Sequence, residues 1–253
     1  MRPIQVLGVR VDPLTRPELI QYINEAVRSK AHVIVANVNV HAINLAQREA
    51  SFRDFINSSG AVFCDGFGVI FGARLLGHRI PERITFADWT WDLAEEAQAR
   101  RWRLFFLGAR PGVAEKAGVA LCSRYPAVQI VGFHHGYFEK TRGHPENQRV
   151  IEMINAAEPH VLLVGFGMPS QEFWLRDNWA DVRAHVALPA GAAFDYVSGS
   201  VRRGPRWMTD HGLEWIARLA VEPRRLWRRY LLGNPWFLWQ VLRERARLGG
   251  PAS

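Results

Sequence analysis

"HVLLVGFGMPSQEFW", residues 160–174, joins an apolar run to a polar, glycine-rich turn. Residues 161–164 are four consecutive aliphatic residues, which is typical of a strand buried on both faces of a sheet. The glycines, proline, glutamine and glutamate that follow are therefore expected at the carboxyl end of a strand.

The same order of strand, turn and helix recurs along the first 200 residues, which favours an α/β fold. We expect a Rossmann-like, mostly parallel sheet with helices on both faces, after a first helix in residues 14–27 that opens on a Thr15/Glu18 capping box. Further strands, each followed by a turn or helix, are predicted within residues 32–48, 60–77, 102–125, 128–157, 160–180 and 185–200, the last ending in a glycine-rich loop.

Polar residues and glycines follow several of these strands. Because the carboxyl ends of parallel strands share one edge, where ligands of such sheets bind, we expect these residues to line a ligand site. They are Asn37, Asn39, Asp65, Gly108, Gln171, Glu172 and Asp195.

The glycine turns restrict the class of enzyme. GARPG and GFGMP let the backbone approach a ligand and offer helix N–H groups to a phosphate. Residues 165–170 carry only two of the three glycines of the dinucleotide fingerprint, which disfavours a nicotinamide enzyme. The chain contains neither a P-loop nor a G-x-S-x-G elbow, so ATPase and α/β-hydrolase functions lose their main support.

Three acidic positions allow two interpretations each. Asp65, followed by GFG, suits a general base, or it caps the next helix or serves a turn. Gln171 and Glu172 suit the hydroxyls of a sugar, or they form a polar first helical turn. Asp195 lies in a predicted strand exit, or it is only a turn residue.

Composition and residue spacing restrict the metals, cofactors and cellular compartments that we expect for this chain. The histidines have no metal-ligand spacing and the chain has no D-x-D, so we predict no essential metal and no cofactor. Cys64 and Cys122 form no C-x-x-C pair and are expected to be buried in a reduced compartment. No signal peptide or membrane-spanning segment is predicted.

The last 53 residues are basic and rich in tryptophan. Of the formal +8 charge, residues 201–253 carry +7, from eleven Arg against four acidic residues, and they hold five of the ten Trp. We expect an α/β domain in residues 1–200 and a helical appendage in 201–253 that binds an anionic membrane, with Gly233 ending one helix and Pro235 opening the next. The alternative is a helical hairpin packed on the body, and no nucleic-acid motif is present.

The chain resembles the WecG/TagA/CpsF family of bacterial glycosyltransferases over residues 33–230. The resemblance is carried, in order, by NVN at 37–39, CDGFGV at 64–69, ERITFAD at 82–88, FFLGARPGVAEKA at 105–117, VGFHHGYF at 131–138, VGFGMPSQEFW at 164–174, GAAFDYVSG at 191–199 and the basic stretch at 203–230.

The resemblance implies an inverting, metal-independent transfer of a sugar from a UDP-sugar to a lipid-linked saccharide at the cytoplasmic membrane face. It makes Asp65 the base, and Asn37 stands where the family has Thr, so the sugar (an N-acetylmannosamine type, its uronic acid or glucose) is left open. Substrate-binding roles fall on Asn37, Asn39, Arg83, Asp88, Gly108, Gly136, Tyr137, Gly165, Gly167, Gln171, Glu172, Gly191 and Asp195. Contacts to the membrane or the diphosphate fall on Arg206, Arg218, Arg224, Arg225 and Arg228.

Two other functions remain open on the sequence. One is a non-catalytic nucleotide-sugar binding module at the membrane, and the other is a nicotinamide-dependent sugar oxidoreductase. The sequence also leaves open a homo-oligomer.

Overall fold

The structure of the protein, a computed structural model, describes residues 2–202, 204–210 and 212–248, without the side chains of Arg206 and Asp210. Eight strands lie in these ranges. They are β1 (Ile4–Val6), β2 (Val9–Val11), β3 (Val33–Val38), β4 (Ala61–Cys64), β5 (Arg103–Gly108), β6 (Gln129–His134), β7 (Val161–Gly165) and β8 (Val186–Pro189).

Helices connect and follow the strands. They are α1 (Arg16–Arg28), α2 (Val40–Ala46), α3 (Ala50–Ser58), α4 (Phe67–Leu75), α5 (Phe86–Arg100), α6 (Val113–Arg124), α7 (Pro145–Ala157), α8 (Ser170–Asn178), α9 (Ala193–Val197), α10 (Arg206–Asp210), α11 (Glu214–Val221), α12 (Pro223–Trp227) and α13 (Gly233–Leu248), with a 3-10 turn at Trp179–Asp181 and a π-helical turn at Arg228–Leu232.

Six strands form one parallel sheet in the order β4-β3-β8-β7-β5-β6, flanked by helices, so the predicted α/β Rossmann-like fold is confirmed. All five residues of β7 are buried, as its uninterrupted apolar run predicts. β1 and β2 form a separate antiparallel hairpin, which the sequence analysis did not predict.

The chain divides into two compact units. The first comprises Met1–Thr15, Asn37–Thr85 and Arg203–Ser253, and the second comprises Arg16–Ala36 and Phe86–Arg202. Strand β3 passes from the second unit into the first. The basic C-terminal residues thus group with α2, α4 and their neighbours, and the predicted boundary at residue 200 stays a prediction.

Three local predictions are wrong. Gly233 does not end a helix: its φ of −69° is helical, and α13 begins there directly after the π-helical turn. The expected loop after β8 contains the short helix α9. Cys122 is exposed, whereas Cys64 is buried as expected.

Candidate functional site

Asp65 follows the last residue of β4 in the first unit, and its backbone is fixed on one side by β3. The Asp65 N–H donates to the Val38 carbonyl at 2.9 Å, and the preceding Cys64 carbonyl accepts from the Ile84 N–H at 2.8 Å. The Thr85 side chain hydrogen-bonds the Asp65 carboxylate. The backbone of Asp65 is therefore held on both sides, and its carboxylate is held by Thr85.

The surroundings of Asp65 raise its pKa to about 6. Burial is the largest cause and the charge of Glu214 adds to it, whereas Arg83, the Thr85 hydrogen bond and Arg218 act in the opposite direction. A carboxyl group with such a pKa is mostly ionised at neutral pH, yet it takes up a proton far more readily than an ordinary Asp. These properties suit a general base.

Arg83 connects this carboxylate to the C-terminal helices. Its Nη1 lies 3.3 Å from Glu214 Oε2, and both side chains are mostly buried, with exposed fractions of 13% and 16%. The guanidinium also lies 4.6 Å from the centre of the Phe67 ring. One cation is thus held by a carboxylate of α11 and an aromatic ring of α4.

The glycines of the DGFG sequence allow the N-termini of helices α2 and α4 to approach each other closely. A Cβ on Gly66 would lie 3.1 Å from Asn39 Cβ, and one on Gly68 would lie 2.4 Å from Val40 Cγ2. Gly66 is the N-cap residue of α4, and within the described residues no side chain caps that helix. The interpretation of Asp65 as a helix cap is therefore not supported.

The two predicted asparagines differ in role. Asn39 caps α2, since its Oδ1 accepts the Ala42 N–H at 3.1 Å. Asn37 lies buried near the end of β3. Their assignment to substrate binding stays a prediction.

Sequence reasoning missed three residues that act on or interact with Asp65, namely Thr85, Glu214 and Arg229, and the buried His41, on which the charge of Arg229 acts. Burial, followed by the charges of Arg229 and Arg48, lowers the pKa of His41 to about 4, so this imidazole is neutral at pH 7. Burial also lowers the pKa of Arg229. Thr85 lies within the ERITFAD motif, and Glu214 and Arg229 lie within the basic stretch at 203–230, so these motifs could have indicated them, whereas His41 lies in none of the quoted motifs.

The predicted tail arginines separate into two groups. Arg218 belongs to the charges that act on Asp65. Arg224, Arg225 and Arg228 are exposed, and Arg225 pairs with Glu222 three residues earlier. The Arg206 side chain lies outside the described residues.

In the second unit, the loops after β5 and β7 approach each other closely. Gly108 has a φ of +147°, and a Cβ there would lie 2.4 Å from the Gly165 carbonyl oxygen. The same oxygen accepts the Ala109 N–H at 2.9 Å. Glycine is required at residue 108 for both its conformation and its contact.

Gln171 joins the loops after β7 and β8. Its Oε1 accepts the N–H groups of Gly167 at 3.1 Å and Gly191 at 3.0 Å, and its Nε2 donates to Glu172 Oε1 at 2.8 Å. Both side chains are only 1% exposed. This arrangement positions the two glycine loops, and direct contact of Gln171 or Glu172 with a substrate stays a prediction.

The loop after β6 continues the same group. The Gly136 N–H donates to the Ala109 carbonyl at 2.8 Å, and a Cβ on Gly136 would lie 2.9 Å from the Phe166 ring. Tyr137 is 65% exposed beside it. The exits of β5, β6 and β7 thus form one packed cluster, which ends in an exposed aromatic side chain.

Two predicted carboxylates of the second unit lie on helices. Asp88 is in the first turn of α5, and Asp195 is in α9, where its carbonyl accepts the Val201 N–H at 3.0 Å. Both are partly exposed, and their substrate-binding roles stay predictions. In the described ranges, three or more His, Cys, Asp or Glu residues nowhere form a group able to hold a metal ion.

Comparison with known proteins agrees with the resemblance read from the sequence. Residues 4–250 match the glycosyl transferase WecG/TagA/CpsF family. Two relatives carry the name N-acetylglucosaminyldiphosphoundecaprenol N-acetyl-beta-D-mannosaminyltransferase. The Bacillus subtilis (strain 168) protein is 30% identical over 215 residues, covering 85% of this chain and 81% of that protein. The Staphylococcus aureus (strain MRSA252) protein is 25% identical over 247 residues, covering 97% and 94%.

Proposed function

This chain belongs to the glycosyl transferase WecG/TagA/CpsF family, and we propose that it moves an N-acetylmannosamine-type sugar from a UDP-sugar to a saccharide on a polyprenyl diphosphate. The names of the two relatives supply the sugar and the acceptor class. The observation that carries the proposal is the Asp65 carboxylate at the end of β4, with its pKa raised to about 6.

In the proposed step, Asp65 removes the proton of an acceptor hydroxyl as its oxygen attacks the anomeric carbon. The bond from that carbon to the UDP oxygen breaks on the opposite side, so the anomeric configuration inverts, and Asp65 later releases the proton to water. Thr85 holds the carboxylate in place through its hydrogen bond. The mostly ionised state at pH 7 makes Asp65 available as the base in each cycle.

We assign neutralisation of the leaving diphosphate to protein cations, without a metal. Arg83 and Arg218 already act on Asp65, so the same charges that tune the base are available to an anionic substrate. The absence of D-x-D and of metal-ligand spacing in the sequence supports this assignment.

We assign the donor to the glycine loops of the second unit. Gly108, Gly165 and Gly191 present backbone without side chains, and Gln171 fixes two of the three loops. A rigid, glycine-lined edge allows phosphates and sugar hydroxyls to approach N–H groups closely.

We further propose that residues 201–253 hold the enzyme on the inner face of the membrane as a peripheral protein. Eleven of the sixteen large apolar side chains that are exposed in the described residues lie in this segment. Helix α13 buries only a narrow stripe, Phe237 and Val241, and exposes Trp236, Trp239 and Leu242 together with arginines. No helix within the described ranges is long and apolar enough to cross a bilayer.

The test is a transfer assay with the full chain, UDP-N-acetylmannosamine and a lipid-linked N-acetylglucosaminyl diphosphate, with EDTA present. We expect a lipid-linked disaccharide whose new anomeric configuration is opposite to that of the donor. Asp65→Asn should abolish product formation, whereas the exposed control Asp54→Asn should not change it. Full activity of Asp65→Asn would remove Asp65 from the mechanism, and dependence on an added divalent cation would overturn metal independence.

A further inference from the structure

Lys140 lies in the loop after β6 and is partly buried against that loop and the exit of β7. Its Nζ donates to the Gly136 carbonyl at 2.5 Å and the Phe138 carbonyl at 3.1 Å. It also lies 4.7 Å from the centre of the Phe138 ring and 4.8 Å from that of Phe166. Two carbonyls and two ring faces therefore fix the position of this ammonium group.

The charge of Lys140 is not compensated by a direct ion pair within the described part of the chain. The charges of Glu139 and Glu146 act on Lys140 from a distance, while their carboxylates accept hydrogen bonds from Thr141 and from the Glu139 N–H. Burial lowers the pKa of Lys140, in keeping with a charge partly removed from water. An ammonium group has three N–H donors, and the two carbonyls use two of them.

The neighbours of Lys140 are the loops assigned above to the donor. Gly136 donates its N–H to Ala109 and gives its carbonyl to Lys140, so the loops after β5 and β6 are tied at this residue. Phe166, under the ammonium, directly follows β7 and precedes the Gly167 turn. These loops therefore hold a fixed positive charge that has one N–H donor beyond the two given to carbonyls.

We propose that Lys140 binds an anionic group of the nucleotide-sugar donor, either the diphosphate or a carboxylate on the transferred sugar. This inference rests on the proposed function and adds a specificity-determining residue to it. A point charge with one remaining N–H suits a single anionic oxygen, whereas a neutral hydroxyl would leave the charge uncompensated.

The test compares Lys140→Met with Lys140→Arg by calorimetric titration of the full chain. The ligands are uridine, UDP, UDP-N-acetylmannosamine and the corresponding UDP-uronic acid. Lys116→Met is the matched control, since Lys116 is an exposed lysine on α6. We expect Lys140→Met to bind one or more of the anionic ligands about tenfold more weakly, with binding of uridine unchanged, because a charge-assisted hydrogen bond is lost. Lys140→Arg should retain most of the affinity.

The pattern over the ligands locates the anion. If UDP and both UDP-sugars bind more weakly to Lys140→Met, Lys140 contacts the diphosphate. If only the UDP-uronic acid binds more weakly, Lys140 contacts the sugar carboxylate. Equal weakening of uridine and the charged ligands, or no weakening, would show that Lys140 only holds the loop and would overturn the inference. A wild-type chain that binds none of the ligands would instead overturn the proposed function, and the inference with it.

Discussion

Asp65 shows how a single residue acquires its chemistry from neighbours that are distant in sequence. Burial and Glu214 raise its pKa, and Glu214 is brought to it by the C-terminal helices. The activity of the wild-type enzyme should therefore rise with pH through about 6, as the base loses its proton.

Removing the Glu214 charge should shift that pH dependence. In Glu214→Gln the carboxylate that opposes ionisation of Asp65 is gone, so the acidic limb of kcat/KM should move to lower pH. Glu222→Gln is the control, because Glu222 pairs with Arg225 and is not among the charges that act on Asp65. An unchanged limb in Glu214→Gln would mean that another group controls the rate.

The raised pKa of Asp65 also affects the stability of the folded protein. The folded pKa of Asp65, about 6, exceeds the ordinary value of 3.8, so the folded state binds more protons between these two pH values. Ionisation of Asp65 therefore lowers the free energy of unfolding as the pH rises between these two values. At pH 8, Asp65→Asn should therefore be more stable than the wild type, with a free energy of unfolding larger by about 2 kcal/mol and a higher melting temperature. This gain should shrink at pH 4.5.

Paired thermal melts at the two pH values check this prediction. A variant less stable than the wild type at pH 8 would show that the hydrogen bond to Thr85 outweighs the cost of the buried charge. At this scale the sequence predicts Asp65 from its D-G turn. Thr85, Glu214 and Arg229 lie within quoted motifs, but no local pattern shows that they act on Asp65, because their proximity is made by the tertiary fold.

At the scale of elements, apolar runs followed by glycine or polar residues identify the six strands of the sheet and several of the helices that follow them, but not α3, α5 or the short α9. The sequence fails at Gly233 and Pro235, which are the usual signals for a helix break. The chain stays helical there: a π-helical turn leads directly into α13, and Asn44 Nδ2 donates to the Gly233 carbonyl at 2.8 Å.

Helix α13 should be held on the first unit by its buried stripe. Phe237 is 3% exposed and lies against Gly72 of α4, where an added Cβ would be only 2.6 Å from the ring. Phe237→Ala should lower the free energy of unfolding by about 3 kcal/mol, the cost of a large cavity. Phe71→Ala, on the same α4 but 54% exposed, is the matched control and should cost less than about 1 kcal/mol.

Urea unfolding of the two variants measures the difference. A loss below about 1 kcal/mol in Phe237→Ala would mean that α13 contributes little to the folded body. The Phe237 contact could not be predicted from the sequence, since a glycine inside α4 gives no indication of which ring occupies the space beside it.

For the whole molecule, the sequence predicts the class of sheet but neither its strand order nor the grouping of residues 1–15 and 37–85 with the C-terminal helices. Both depend on long-range packing that leaves no local pattern. The uneven charge and tryptophan content, by contrast, are visible in composition alone. The structure adds that α13 turns different residues inward and outward, so packing on the body and contact with a membrane are compatible in one helix.

Membrane binding by the outward side of α13 is the last prediction. Trp236 and Trp239 stack at 4.9 Å and are 41% and 48% exposed, beside exposed arginines of the same helix. Aromatic rings and arginines on one helix bind anionic interfaces through buried apolar area and through charge, at about 1 kcal/mol for each arginine near the surface. The double variant Trp236→Gln/Trp239→Gln should therefore lose about tenfold or more in partitioning to phosphatidylglycerol vesicles.

The control is Val119→Gln/Met153→Gln, which removes two exposed apolar side chains from α6 and α7 and should leave partitioning unchanged. Co-sedimentation with phosphatidylglycerol vesicles, with pure phosphatidylcholine vesicles, and at high salt separates the two contributions. High salt should weaken binding of the wild type because it screens the arginines, and neutral vesicles should bind it less. If the tryptophan variant sediments as the wild type does, the outward side of α13 faces solvent, and the C-terminal segment serves only to pack on the body.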